Sequence, residues 1–225
     1  MSDVEIVVAA DDEDAALMVA RRLDEAARRG GHICLTGGST PERAYQLAAE
    51  MDPDWSRVEI WWGDERCSPA DDPLSNYGMS KRALLDHLAT PPAAIHRMRG
   101  ELGPDDGARA YEAELGDTVV DLMLLGMGLD GHIASLYPNQ PTLDDPRRVV
   151  GAEAHLEPFI DRITMTLPTI NASREVLFLI AGADKAEAVA RAFAGEPSPA
   201  TPASLARSVD GPTVVVLDAA AASKL

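Results

Sequence analysis

The sequence predicts an α/β fold: a mostly parallel sheet with helices on both faces, in a single domain covering residues 1–225. Three observations carry this. Short apolar runs alternate with helical patterns along the chain, and strands separated by helices of roughly 10–15 residues form parallel βαβ units. The runs "VVDLMLL", "EVLFLIAG" and "TVVVLD" are almost continuously apolar, as strands buried on both faces are. A length of 225 residues with no internal repeat and no clear linker suits one domain.

Each element has its own signal. "VEIVVAA" reads as a strand. Ala16, Val19, Ala20, Leu23 and Ala27 then fall on one helical face, and Gly30-Gly31 ends that helix. "HICLTGG" is a second strand running into a glycine turn, followed by the helix "PERAYQLAAEM". "RVEIWWGDER" reads as one third strand. "LSNYGMSKRALLDHL" and "PDDGARAYEAELG" read as helices, and "VVDLMLLGMG" as a strand. "DRITMTL", "EVLFLIAG" and "TVVVLDA" are strand-like, "DKAEAVARAFAG" is helical, and "GEPSPATPAS" is a loop.

Composition limits the function. The net charge is -17, so nucleic acid and anionic membrane surfaces are excluded as non-specific partners. An anionic ligand would need a local basic pocket. The two cysteines, Cys34 and Cys67, form no C-x-x-C pair and no disulfide framework. The start of the chain has no signal-peptide pattern, and no apolar run approaches ~18 residues. A reducing cytoplasm is the expected location.

The stretch "GMGLDGHIASLYP" carries Gly126, Gly128 and Gly131 in the spacing G-x-G-x-x-G. A dinucleotide site needs a crossover helix after the last glycine. Pro138, Pro141 and Pro146 leave at most His132–Tyr137 for it, about one and a half turns at ~3.6 residues each. The alternative is a catalytic turn at the end of a buried strand. His132 can serve there as a general base, with Asp130 orienting its ring. Spacing alone is equally compatible with a plain Asp-Gly turn.

Two other clusters stand out. "LTGGSTPE" places Gly37, Gly38, Ser39 and Thr40 ahead of a helix. With Thr40 as N-cap, Pro41 falls at the first helical position; with Ser39 as N-cap, Glu42 completes a capping box. Either start presents free amides and a positive helix end, suited to phosphate. "WWGDERCSPADDPLSNYG" places Asp64, Glu65 and Arg66 past a strand end, with Ser75 a possible cap before Asn76. Such a charge trio is ordinarily a solvated turn, but a guanidinium suits bidentate phosphate binding.

Taken together, "GGSTP", "WGDER…SNYG" and "GMGLDGHIASLYP" resemble the 6-phosphogluconolactonases, as do "RITMTLPTINASREVLFLIAG" and "GADKAEAV". The matches keep their order and span nearly the whole chain. The resemblance implies a Rossmann-like sheet and a carboxylic ester hydrolase that opens 6-phospho-D-glucono-1,5-lactone in the pentose phosphate pathway. It implies no cofactor and no metal. It implies catalysis by His132 and Asp130, with the substrate held by Gly37, Gly38, Ser39, Thr40, Asp64, Arg66, Asn76, Gly131, Arg162 and Lys185. Lys185 at a helix start is poorly placed for the helix dipole, which favours a ligand role. The implied partner is a small sugar-phosphate lactone, with no nucleic acid and no membrane, and the chain is expected as a monomer or weak homo-oligomer.

The chief rivals are a sugar-phosphate isomerase of the glucosamine-6-phosphate deaminase type and a non-catalytic sugar-phosphate sensor. The deaminases resemble G-H-[IL]-A-F-N-E-P at the histidine turn. This chain has Tyr137 at that Glu, although Ile133 is deaminase-like. Intact Asp130 and His132 argue against a sensor. A metal on those two residues lacks a second ligand pair at a recognisable spacing.

Overall fold

The computed structural model describes residues 4–155 and 157–225; residues 1–3 and 156 of the expected 1–225 domain lie outside it. β1 (Val4–Ala9) is followed by α1 (Asp12–Arg29). The Asp11 carboxylate caps α1 by accepting from the Asp14 amide at 2.9 Å. β2 (Gly31–Leu35), α2 (Ser39–Met51) and β3 (Val58–Trp62) come next. β4 (Asp64–Arg66), α3 (Asn76–Ala83), β5 (Ala94–Ile95) and α4 (Pro104–Leu115) complete the first half.

The second half holds β6 (Leu122–Leu125), β7 (Val149–Ala152), β8 (Arg162–Met165) and α5 (Leu167–Asn171). It ends with β9 (Val176–Ile180), α6 (Ala186–Phe193) and β10 (Thr213–Asp218).

The main sheet has seven strands in the order β1-β10-β9-β6-β2-β3-β5, all parallel. Side chains alternate across it, as the strand period requires. On β6, Leu122 and Leu124 join the core under α1, α2 and α3, while Met123 and Leu125 join the core under α4 and α6. β9 divides the same way: Leu177 and Leu179 on one face, Val176, Phe178 and Ile180 on the other. Cys34 is buried in the second core, and burial pushes its thiol up. Helices thus cover both faces, as the apolar runs predict. Among the described residues no helix is long and apolar enough to cross a membrane.

The strand order places the site. From β2 the chain steps outward through β3 to β5, then returns to β6 on the other side of β2. Loops leaving the C-terminal ends of β2 and β6 therefore diverge, opening a crevice at the reversal.

Several expectations need correction. "RVEIWWGDER" is two strands: β3 ends at Trp62, and β4 belongs to a separate three-stranded sheet, β4-β8-β7, which is antiparallel. Gly63 is the joint, donating to Leu35 O at 3.0 Å and accepting from the Met165 amide at 2.8 Å. "DRITMTL" pairs into this small sheet as well. Its partner β7 is a short run, "VVGA", too brief to register as a strand by period. α2 begins at Ser39 with Gly38 as N-cap and no side-chain cap bond, so neither Ser39 nor Thr40 caps it. Lys185 ends a short 3-10 turn (Ala183–Lys185) and precedes α6.

Leu124 is fully buried at the centre of the sheet. Leu124→Ala is expected to lower the unfolding free energy by about 3 kcal/mol, read from urea denaturation. A loss under about 1 kcal/mol would mean that this layer is not tightly packed.

Candidate active site

The β2–α2 loop forms one wall. Its position is pinned from behind by Tyr45 of α2, whose hydroxyl accepts from the Thr36 amide at 2.9 Å and donates to Thr36 O at 2.8 Å. Gly37 must lack a side chain: a Cβ there would stand 1.9 Å from Asn76 Oδ1. The first amides of a helix have no partner within it, and those of α2 begin at this loop.

The corner between β4 and α3 forms the second wall. The Glu65 carboxylate is buried and accepts from Ser75 Oγ at 2.9 Å and from the Asn76 and Tyr77 amides, each at 2.8 Å. Burial raises its pKa while these bonds oppose the rise. Glu65 thereby clamps the N-terminus of α3 against β4. Asn76 Nδ2 then donates to Asp64 O at 2.9 Å and to Asp64 Oδ1 at 3.1 Å. Ser135 Oγ donates to Asp64 Oδ2 at 2.7 Å. Arg66 donates to Asn76 Oδ1 and, at 2.8 Å, to Leu74 O. Its Nε is buried without a partner.

Arg162 lies directly opposite Arg66 across the β4–β8 ladder. It is 4% exposed and donates to the carbonyls of Ile160 and Pro158. Like charges in facing positions repel. Lys185 reaches in from the α6 side and donates to Met127 O at 2.8 Å. Burial depresses its pKa, with Asp184 and Asp130 opposing the shift. Among the described residues none of these three cations has a carboxylate within ion-pair distance.

The β6 loop forms the third wall and carries the histidine. The Gly128 amide donates to His132 O at 2.9 Å, and the Gly131 amide to Gly128 O at 3.1 Å. Inside this turn His132 Nδ1 lies 2.6 Å from Asp130 Oδ1, and the His132 amide donates to the same oxygen at 3.0 Å. Gly128 makes the pair possible: a Cβ there would lie 2.0 Å from His132 Nδ1 and 2.8 Å from Asp130 Oδ1. Burial tends to raise the Asp130 pKa, but the bonds from His132 outweigh it and hold it at about 2. An ionised carboxylate only accepts, so Nδ1 carries the proton and Nε2 keeps a free lone pair. The Tyr137 ring packs on His132 with centroids 5.0 Å apart.

These walls enclose a cleft of about 300 Å³. Of the residues singled out from sequence, Gly37, Gly38, Asp64, Arg66, Asn76, His132, Arg162 and Lys185 line it. Asp130 lies behind the imidazole. Ser39 and Thr40 are not among the residues that line it. Gly131 is in the turn, at φ 90, with Thr201 against its back. Sequence reading omitted Thr36, Met127, Ala134, Tyr137 and Glu157 from the wall. Tyr137 sat inside the quoted motif. Glu157 lies in an irregular segment without any pattern to mark it. Among the described residues no group of three or more His, Cys, Asp or Glu side chains is placed to hold a metal.

Gly128→Ala is expected to displace the imidazole from Asp130 while leaving the fold intact. Ring-proton chemical shifts of His132 should move strongly, and the thermal midpoint by only a few degrees. Unmoved ring resonances would show that the turn has room for a methyl group.

The chain is similar to known proteins over most of its length. The family model for glucosamine-6-phosphate isomerases/6-phosphogluconolactonase matches residues 9–215. A 6-phosphogluconolactonase of Streptomyces coelicolor is 38% identical over 232 aligned residues, covering 94% of this chain and 88% of that protein. The solved 6-phosphogluconolactonase of Thermotoga maritima superposes with a TM-score of 0.84 at 28% identity, covering 96% of this chain and 100% of that one. A monomeric glucosamine-6-phosphate deaminase gives a TM-score of 0.84 at 25% identity, covering 99% of this chain and 100% of that one. With most of its length matched by the family model and by a relative of this similarity, the chain belongs to the glucosamine-6-phosphate isomerase/6-phosphogluconolactonase family.

Proposed function

We propose that this chain hydrolyses 6-phospho-D-glucono-1,5-lactone to 6-phospho-D-gluconate, with His132 activating the attacking water. One observation carries the reading. A cleft in a chain of net charge -17 gathers three cations without carboxylate partners beside an imidazole whose Nε2 is free. The cations suit a phosphate; the imidazole suits a proton transfer. The names of the curated relatives, such as the Streptomyces coelicolor 6-phosphogluconolactonase, supply the substrate.

The chemistry follows from the geometry. His132 Nε2 takes a proton from water as the water oxygen bonds to the lactone carbonyl carbon. The negative charge that develops on the carbonyl oxygen is stabilised by backbone N–H groups of the glycine loops. The tetrahedral intermediate then collapses, the bond to the ring oxygen breaks, and the imidazolium returns its proton to that oxygen. Asp130 stays ionised throughout and stabilises the imidazolium. The phosphate is held by Arg66, Arg162 and Lys185, with the first turn of α2 adding its positive end.

The deaminase reading has the support of a solved deaminase of the same fold. Tyr137 weighs against it: its ring packs on His132 at the place where the deaminase pattern carries a glutamate for ring opening.

His132→Gln is expected to reduce kcat/KM by about 10²–10⁴, measured over the spontaneous rate with freshly prepared lactone. An unchanged rate removes His132 from the mechanism. Asp130 is held below its ordinary value of about 3.9 at about 2. Its favourable contribution is therefore present above about pH 4 and fades only as the pH falls through about 2. The pH–rate profile should therefore show no limb from Asp130 above about pH 4; a limb there that Asp130→Asn removes would contradict this assignment. Arg66→Ala and Lys185→Ala should each raise KM about tenfold or more while changing kcat little, because phosphate binding is remote from the bond broken. Unchanged KM in both would sink the phosphate assignment.

A further inference from the structure

Two carboxylates reach the wall of the cleft besides the one behind His132, and they differ in what they already hold. Asp64 is committed: one oxygen accepts from Asn76 and the other from Ser135. Glu157 is exposed and lines the cleft, and among the described residues it has no hydrogen bond and no ion pair. In a cleft that gathers Arg66, Arg162 and Lys185, an unpaired carboxylate works against anion binding. Its free lone pairs suit a different donor. A carboxylate accepts at both oxygens, and an O–H donor bound to it gives a short, charge-assisted bond.

The segment bearing Glu157 is fixed by the cleft itself. Arg162 donates to the Pro158 carbonyl at 3.3 Å and to the Ile160 carbonyl. The guanidinium that faces Arg66 across the small sheet therefore also anchors the chain at Pro158 and Ile160, just after Glu157. A phosphate at the cations and a hydroxyl acceptor at Glu157 are thus held in a fixed relation by one side chain.

We propose that Glu157 is the specificity-determining residue of this cleft. Its carboxylate accepts hydrogen bonds from the hydroxyls of a polyhydroxylated phosphate ester, so that a sugar phosphate is distinguished from bare phosphate. The identity of that ester rests on the lactonase reading; the hydroxyl chemistry applies to any sugar phosphate.

The test is calorimetric binding of 6-phosphogluconate and of inorganic phosphate, at fixed ionic strength, to wild type, Glu157→Gln and Glu157→Ala. Glu157→Ala should weaken 6-phosphogluconate about tenfold or more. Glu157→Gln, which keeps an acceptor without the charge, should weaken it less. Inorganic phosphate should bind unchanged or more tightly in both. Tighter binding of both ligands in both variants would make Glu157 a repelling charge and overturn the proposal. Parallel loss of both ligands would overturn it too, since Glu157 would then be supporting the cations. A wild type that binds phosphate but not 6-phosphogluconate contradicts the lactonase reading instead. The same three proteins are then compared with glucosamine 6-phosphate, where equal affinity across them overturns the Glu157 proposal and the same graded loss supports it.

Discussion

The hydrogen bond between Asp130 and His132, 2.6 Å long, is the interaction around which the rest of the site is arranged. It sets the ring's orientation and its tautomer together, and so leaves the lone pair on Nε2 of a residue that lines the cleft. Its geometry needs three things that the sequence supplies within a dozen residues. Gly128 leaves space where any side chain would collide with both partners. The Asp130-Gly131 turn folds the carboxylate back under the amide of His132. Tyr137 closes the far side of the ring. The parallel sheet contributes the address: β6 ends at the reversal of strand order, so this turn opens into the crevice beside the β2 loop.

The electrostatics run against the bulk charge. A chain of net charge -17 repels anions at a distance, and it overcomes that locally by leaving cations unpaired. The cost is visible in Arg66 and Arg162, which face each other across a ladder, a like-charge pair that is destabilising. The buried Arg66 Nε has no hydrogen-bond partner among the described residues. Backbone carbonyls hold Arg162 and Lys185 without neutralising them. Elsewhere many arginines are paired, such as Arg43 with Glu13 and Arg147 with Asp145.

Much of this was legible in the sequence because it rests on local rules. Continuous apolar runs reported strands buried on both faces, and β6, β9 and β10 are such strands. Proline placement excluded a crossover helix after His132, and the Ile133–Leu136 bridge forms a tight turn there. What stayed hidden depends on contacts distant in sequence. The small antiparallel sheet was missed because Gly63 bends a run that reads as one strand, and because β7 is too short to show a period. The start of α2 was misjudged because both hydroxyls of Ser39 and Thr40 look like caps, whereas the backbone of Gly38 at φ 112 begins the helix. The G-x-G-x-x-G spacing misled in a useful way. Its second glycine is there to admit the Asp130–His132 pair, which no pattern of glycines alone could reveal. Glu157 gave no local signal, since only the fold brings its loop to the cleft.

The most direct measurement compares hydrolysis of 6-phospho-D-glucono-1,5-lactone with that of the unphosphorylated lactone by the wild-type chain, with no metal added. Rapid hydrolysis of the phosphorylated lactone and a much lower kcat/KM for the other is the result expected if Arg66, Arg162 and Lys185 hold the phosphate. Equal rates on the two lactones, or ammonia release from glucosamine 6-phosphate with neither lactone opened, would contradict this reading of the cleft.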